Sequence, residues 1–168
     1  MEPISEATIR GSFINCSRGE ATRVKLPADF RETVWADLDF YGWVDPSAPL
    51  RAAIVVQDDD GVQAVMLRKA QQSSSSGALR SSMCQVCLTS HASSGVSLFT
   101  AALAGALGRN GNSVGEYLCS DLACSLYLRG KRQPRMRLVQ YEETLTLEEK
   151  IGRAMTKLHG FTRRVALK

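Results

Sequence analysis

The sequence predicts an α+β protein: an N-terminal part with short helices and a β-hairpin, then a four-cysteine metal-binding unit and a C-terminal helix. Three observations carry the prediction. Two β-prone runs flank Asp58-Asp59-Asp60-Gly61, four cysteines stand in two close pairs at Cys84/Cys87 and Cys119/Cys124, and Thr146-Leu147-Glu148-Glu149 precedes an apolar stripe of helical period. At 168 residues the chain fits one domain or two small ones. Hydrophobic residues at 44% and charged residues at 23% are globular proportions, not those of a disordered chain.

Taken in order, Ser5 to Ile14 reads as a short helix, with Ser5 as N-cap and Ile9 and Phe13 at i, i+4 spacing. Five of the eleven aromatic residues, Phe30, Trp35, Phe40, Tyr41 and Trp43, cluster next and are expected in the core. Ala52 to Val56 and Val62 to Leu67 form the two arms of a hairpin, for which Asp-Gly suggests a type I′ turn. The three aspartates lack the alternating oxygen ligands and later Glu of a calcium loop, so they read as a solvated turn. Gln71 to Gly77 is polar and small and reads as a connector. This divides the chain into a subdomain over 1–72, a Ser-rich connector over 73–80 and a second subdomain over 81–168.

Beyond the connector, Val96 to Leu103 and Val114 to Leu118 read as strands, with Asn110-Gly111-Asn112 as turn chemistry between them. Asp121 is a candidate N-cap for a helix over Leu122 to Arg129, stopped by Gly130. The Thr146/Glu149 capping box starts a last helix. Its stripe of Leu147, Ile151, Ala154, Met155 and Leu158 should pack into the core and end near Gly160.

The start of the chain has no apolar h-region and there is no run of about 18 apolar residues, so neither a secretory signal nor a membrane span is expected. A cytoplasmic setting follows, and there paired cysteines point to metal or redox chemistry rather than to disulfides. The pattern is Cys-x2-Cys, 31 intervening residues (88 to 118), then Cys-x4-Cys. Zinc favours four soft ligands in a closed tetrahedral site, and a Cys-x-x-Cys turn converges two thiolates. The second pair, at the N-terminal end of a helix, supplies the others, where the helix dipole favours thiolates. Knuckle, β-hairpin and ligand-bearing helix, in that order, are a treble-clef arrangement. A thioredoxin-like role for Cys84/Cys87 needs a strand-to-helix context after a βαβ pattern, which the Ser-rich stretch before Met83 does not supply.

One structural zinc held by Cys84, Cys87, Cys119 and Cys124 leaves no open position for a substrate. Neither His91 nor His159 stands in the His-x-Glu context of a zinc deaminase, although His91 is near enough to the knuckle to replace one cysteine. Cys16 reads as a small buried hydrophobe. With no nucleophile triad or phosphate-cradling Gly loop, an enzyme acting on a small-molecule substrate is not expected.

Charge is uneven. Residues 1 to 80 hold nine Lys/Arg against eleven Asp/Glu, and residues 81 to 168 hold twelve against six. The basic half suggests an anionic partner. Its densest run is Arg129, Lys131, Arg132, Arg135 and Arg137, candidates for partner binding. No aromatics interleave them, which disfavours base stacking.

Ser82-Met83-Cys84-Gln85-Val86-Cys87 together with Gly115-Glu116-Tyr117-Leu118-Cys119-Ser120-Asp121-Leu122-Ala123-Cys124-Ser125 resembles the FBP family zinc finger, the C-terminal treble clef of the fusidic-acid resistance proteins. The specific motifs lie within about residues 80 to 130. Asn15-Cys16-Ser17-Arg18-Gly19-Glu20 is similar to the short bacterial FBP-domain proteins. The resistance proteins bind elongation factor G and help free it from the ribosome, so the resemblance implies a non-enzymatic zinc protein with elongation factor G or the ribosome as partner. In those proteins the finger follows a helical bundle, whereas a β-hairpin is expected here. RNA binding through the cations after the zinc site is the alternative.

Overall fold

A computed structural model describes residues 1–71, 81–134 and 143–167. The chain forms α1 (Glu6–Gly11), α2 (Arg18–Arg23), β1 (Tyr41–Val44), β2 (Arg51–Asp58), β3 (Gly61–Lys69), β4 (Ser81–Met83), β5 (Ser90–Ala92), β6 (Val96–Ala102), α3 (Gly105–Arg109), β7 (Ser113–Cys119), α4 (Cys124–Leu128) and α5 (Leu147–Ala166). Five strands make one antiparallel sheet, in the order β1-β2-β3-β6-β7, and β4 pairs with β5 apart from it. The mixed α+β class and the C-terminal helix are as the sequence predicts.

The sheet is covered on both faces, which is why β2 reads as an unbroken apolar run instead of an alternating one. Ala52, Ile54 and Val56 face a core shared with the cysteines and with Leu158 and Phe161 of α5. Ala53 and Val55 face a second core with Ile9, Val24, Tyr41 and Trp43. The expected aromatic cluster belongs mostly to this second layer, where Tyr41 stacks on Trp43 with ring centroids 5.2 Å apart. The two expected subdomains thus share a sheet and a core: β3 pairs with β6 across the 73–80 stretch, through Arg68↔Thr100 and Lys69↔Phe99. The connector itself lies outside the described residues.

Local expectations are corrected in four places. The first helix ends at Gly11, so Phe13 lies beyond it, in a parallel bridge to Ala64. The hairpin loop is Asp59-Asp60, flanked by the Asp58↔Gly61 pair. Neither loop residue has the positive φ that a type I′ turn requires; Gly61 alone takes it, at +116°. The ligand helix starts at Cys124 with Ala123 as its cap, because Leu122 sits at φ +57°, a left-handed conformation no helix can pass through. Gly130 does end that segment, at φ +67°. Finally, α5 runs through Gly160 to Ala166, since Phe161 and Val165 bury completely and outweigh the glycine's weak helix propensity.

No local sequence signal announces how the sheet's interior fork is closed. β3 and β6 pair at only two positions, which leaves upper β3 without a neighbouring strand on that side. Residues 12–15 fill the gap. The Ala64 N–H donates to the Ser12 carbonyl (2.9 Å) and the Ile14 N–H to the Ala64 carbonyl (3.0 Å). The Asn15 side chain accepts from the Met66 N–H (2.8 Å) and donates to the Met66 and Ala102 carbonyls (both 3.0 Å). One amide thus serves as a strand residue between β3 and β6. Ser17 and Glu20 then form a capping box that starts α2.

Candidate metal centre

Each pair of cysteines is presented by a tight turn that needs an unusual backbone. β4 and β5 hold the first: the Cys84 N–H donates to the Thr89 carbonyl (3.1 Å) and the Leu88 N–H to the Cys84 carbonyl (3.0 Å), with Leu88 at φ +58°. β7 ends at Cys119, the Leu122 N–H donates back to the Cys119 carbonyl (2.8 Å), and Cys124 opens α4. A left-handed leucine costs roughly 1–2 kcal/mol, so the surrounding structure must over-determine both turns. For the second turn part of that constraint is visible. Leu122 packs directly on Gly42 of β1, where a Cβ would come within 2.7 Å of the Leu122 Cβ.

The four sulfurs converge. All lie within 4.8 Å of one another and all four cysteines are buried. Cys84 Sγ is 3.7 Å from Cys124 Sγ and Cys87 Sγ is 3.5 Å from Cys119 Sγ. A tetrahedron with Zn–S bonds of about 2.3 Å has sulfurs about 3.8 Å apart, whereas a disulfide would bring two to about 2 Å. Hydrogen bonds from Cys119, Cys124 and Cys87 hold the Cys84 thiol well below its ordinary value, while contacts with Cys119, Cys84 and Cys87 push Cys124 up. Four buried thiols cannot all ionise side by side without a cation to neutralise them. The donor set therefore fits one tetrahedral thiophilic ion.

Polar neighbours orient the ligands. The His91 Nε2 lies 3.3 Å from Cys119 Sγ, so His91 supports a ligand and does not replace one. Burial holds its imidazole below the ordinary value, which keeps it neutral, and in the Nε2–H tautomer it donates to the thiolate. Its ring stands edge-on to Tyr127, 4.8 Å between centroids, and Gly95 leaves the room it occupies. Thr89 Oγ1 lies 3.2 Å from Cys87 Sγ and accepts from it in the thiol form. Asp121, expected as a helix cap, accepts instead from the Ala123 N–H (3.1 Å) and the Tyr127 hydroxyl (2.8 Å).

Of the basic run, Arg129, Lys131 and Arg132 fall within the described residues, and all three face acids of this chain. Arg129 makes a bidentate pair with Asp39 (2.6 and 2.8 Å), Lys131 meets Asp37 at 2.6 Å and Arg132 meets Asp121 at 3.3 Å. The first two pairs fasten the segment before β1 to the end of α4, and the third ties that end back to the second cysteine turn. Arg135 and Arg137 lie outside the described residues. Cys16 stands apart from the metal cluster and is half-buried; burial, then the Glu20 charge, push its thiol up to about 11. No described helix is long and apolar enough to cross a membrane.

A family model described as the FBP C-terminal treble-clef zinc-finger matches residues 8–165. The match extends well beyond the 80–130 motifs and takes in the sheet and α5. No curated protein and no solved structure matches the chain. The sulfur geometry and the family model agree on one structural zinc held by four cysteines.

Proposed function

The chain belongs to the FBP C-terminal treble-clef zinc-finger family, and on that premise we propose that it is a non-enzymatic binding protein whose partner is elongation factor G or the ribosome. The observation that carries this reading is the closed, buried four-thiolate site. Four protein ligands leave a tetrahedral zinc no position for substrate or water, so the metal's contribution is folding energy and shape. Function then lies on the surfaces that the zinc unit and the sheet present together. The choice of a translation partner, and of the cytoplasm as the place where it is met, rests on the resemblance to the fusidic-acid resistance proteins.

The test is co-purification of the zinc-loaded protein with purified elongation factor G and, separately, with ribosomes, after nuclease treatment and a moderate-salt wash. Retention of elongation factor G supports the reading. Binding confined to RNA, with affinity falling steeply as salt rises, overturns it in favour of an RNA-binding zinc finger. The intramolecular pairing of Arg129, Lys131 and Arg132 weighs against that alternative, because those charges are already neutralised.

A further inference from the structure

β1 is an edge strand, and the polarity of its ladder fixes which backbone groups it leaves open. The Asp45 N–H donates to the Arg51 carbonyl (2.8 Å), continuing the β1–β2 ladder by one residue. Antiparallel pairs alternate, so Trp43↔Ala53 and Tyr41↔Val55 are the hydrogen-bonded pairs, and the N–H and C=O groups of Gly42 and Val44 point away from β2. Equivalent outward groups of Ala64, Met66 and Tyr117 are covered. Ser12, Ile14 and Asn15 satisfy Ala64 and Met66, while the Gln85 backbone N–H (2.8 Å) and side chain (2.9 Å) bond both groups of Tyr117. Gly42 and Val44 have no such cover among the described residues.

This open edge lies in a trough of about 810 Å³. One wall is the segment carrying Asp29, Glu32 and Val34; the other is the second cysteine turn and α4, with Leu122 and Leu126. Apolar surface is available, since Val34 is 63% exposed. The walls differ in charge. Lys131 and Arg132 on the zinc side are paired with Asp37 and Asp121 and Lys69 donates to the Ser120 carbonyl (3.0 Å), whereas Asp29 and Glu32 are exposed and make no ion pair among the described residues.

We infer that the trough takes an extended peptide segment of a partner protein, which adds as a further strand beside β1 and sets cationic side chains against Asp29 and Glu32. Main-chain hydrogen bonds to Gly42 and Val44 supply affinity, and alternate side chains fall to the acidic and the zinc walls. The zinc unit is then one half of a peptide-binding site whose floor is the sheet. This deepens the proposed binding role by naming a surface, and its test does not use elongation factor G, so the two can fail separately.

The probe is a random twelve-residue peptide library displayed on phage and selected on immobilised zinc-loaded protein. Enriched peptides are expected to alternate apolar residues with Lys or Arg and to slow amide exchange at Gly42 and Val44. Val44→Pro removes an outward donor without touching the β2 ladder. It is expected to weaken those peptides at least tenfold with zinc content and thermal unfolding unchanged. Asp29→Lys with Glu32→Lys should shift selection away from cationic peptides. If Val44→Pro does not fold, exchange at Gly42 and Val44 in the wild-type complex decides. Failure to enrich any peptide, unchanged exchange at those two amides, or full affinity in folded Val44→Pro overturns the proposal. A dimer that dissolves in Val44→Pro also overturns it, by assigning the edge to a second copy of the chain.

Discussion

Replacing Gly42 by Ala tests whether the sheet and the metal site are one mechanical unit. The new methyl carbon would lie 2.7 Å from the Leu122 Cβ, 3.1 Å from the Leu122 carbonyl oxygen and 3.2 Å from Phe40. Carbon atoms pack best about 3.5–4.0 Å apart, so the first contact is short by close to an ångström. Leu122 cannot yield by rotating a side chain, because the clash is with its Cβ and its backbone is held at φ +57° between Cys119 and Cys124. Relief has to move either β1 or the cysteine turn, and Zn–S bonds tolerate only about 0.2 Å. Overpacking of this kind costs about 1–3 kcal/mol. Where the turn gives way, that energy appears as roughly a fivefold to hundredfold loss of zinc affinity. Competition against a chromophoric chelator reads the affinity, and urea unfolding with and without zinc reads the stability. Gly160→Ala is the control: a methyl there meets nothing within 4 Å, so α5 should gain about 0.5–1 kcal/mol with zinc affinity unchanged. Zinc affinity within twofold of wild type in Gly42→Ala, with the same unfolding midpoint, would refute the coupling.

Other outcomes follow from single side chains. Burial alone would raise the Asp45 carboxyl, but hydrogen bonds from the Lys25 N–H, the Ser47 hydroxyl and N–H, and Arg51 overcome it and bring it down to about 2. Its folded-state pKa lies below the ordinary value of 3.8, so its contribution of about 2 kcal/mol is present above pH 3.8 and is lost as pH falls toward 2. The stability difference between wild type and Asp45→Asn should shrink over that window; taking the difference removes the acid loss of zinc common to both, and a difference independent of pH would contradict the assignment. Asn15→Asp keeps the acceptor for Met66 but loses both donations and sets a charge against two carbonyls. It should cost about 1–3 kcal/mol in urea unfolding, and a cost below about 0.5 would remove Asn15 from its bridging role.

What was legible in the sequence was what is local. The cysteine spacing gave the metal site, the Thr146/Glu149 box gave the start of α5, and β-prone runs gave β2, β3, β6 and β7. The remainder depends on contacts between distant residues. Asp37 and Asp39 neutralise Lys131 and Arg129 across 94 and 90 positions, a pairing no spacing rule announces. Asn15 could be read as part of a motif, yet its work is a bridge to residues 66 and 102. Leu88 and Leu122 carry the left-handed turns without glycine, the usual sequence signal for them, so capping and spacing alone place the start of the ligand helix two residues early. The Ser17/Glu20 box, by contrast, is local and legible as Ser-x-x-Glu.

The central claim is that one zinc ion, held by Cys84, Cys87, Cys119 and Cys124, is a structural part of this fold. Native mass spectrometry of protein purified without added metal tests it most directly, followed by hydrogen exchange after chelation. The account predicts one zinc per chain, lost in Cys119→Ser, and collapse of protection in β4, β5, α4 and the end of β7 when the metal is stripped, since a structural zinc contributes on the order of 10 kcal/mol to folding. Protein without zinc that keeps full protection in those four elements would contradict it.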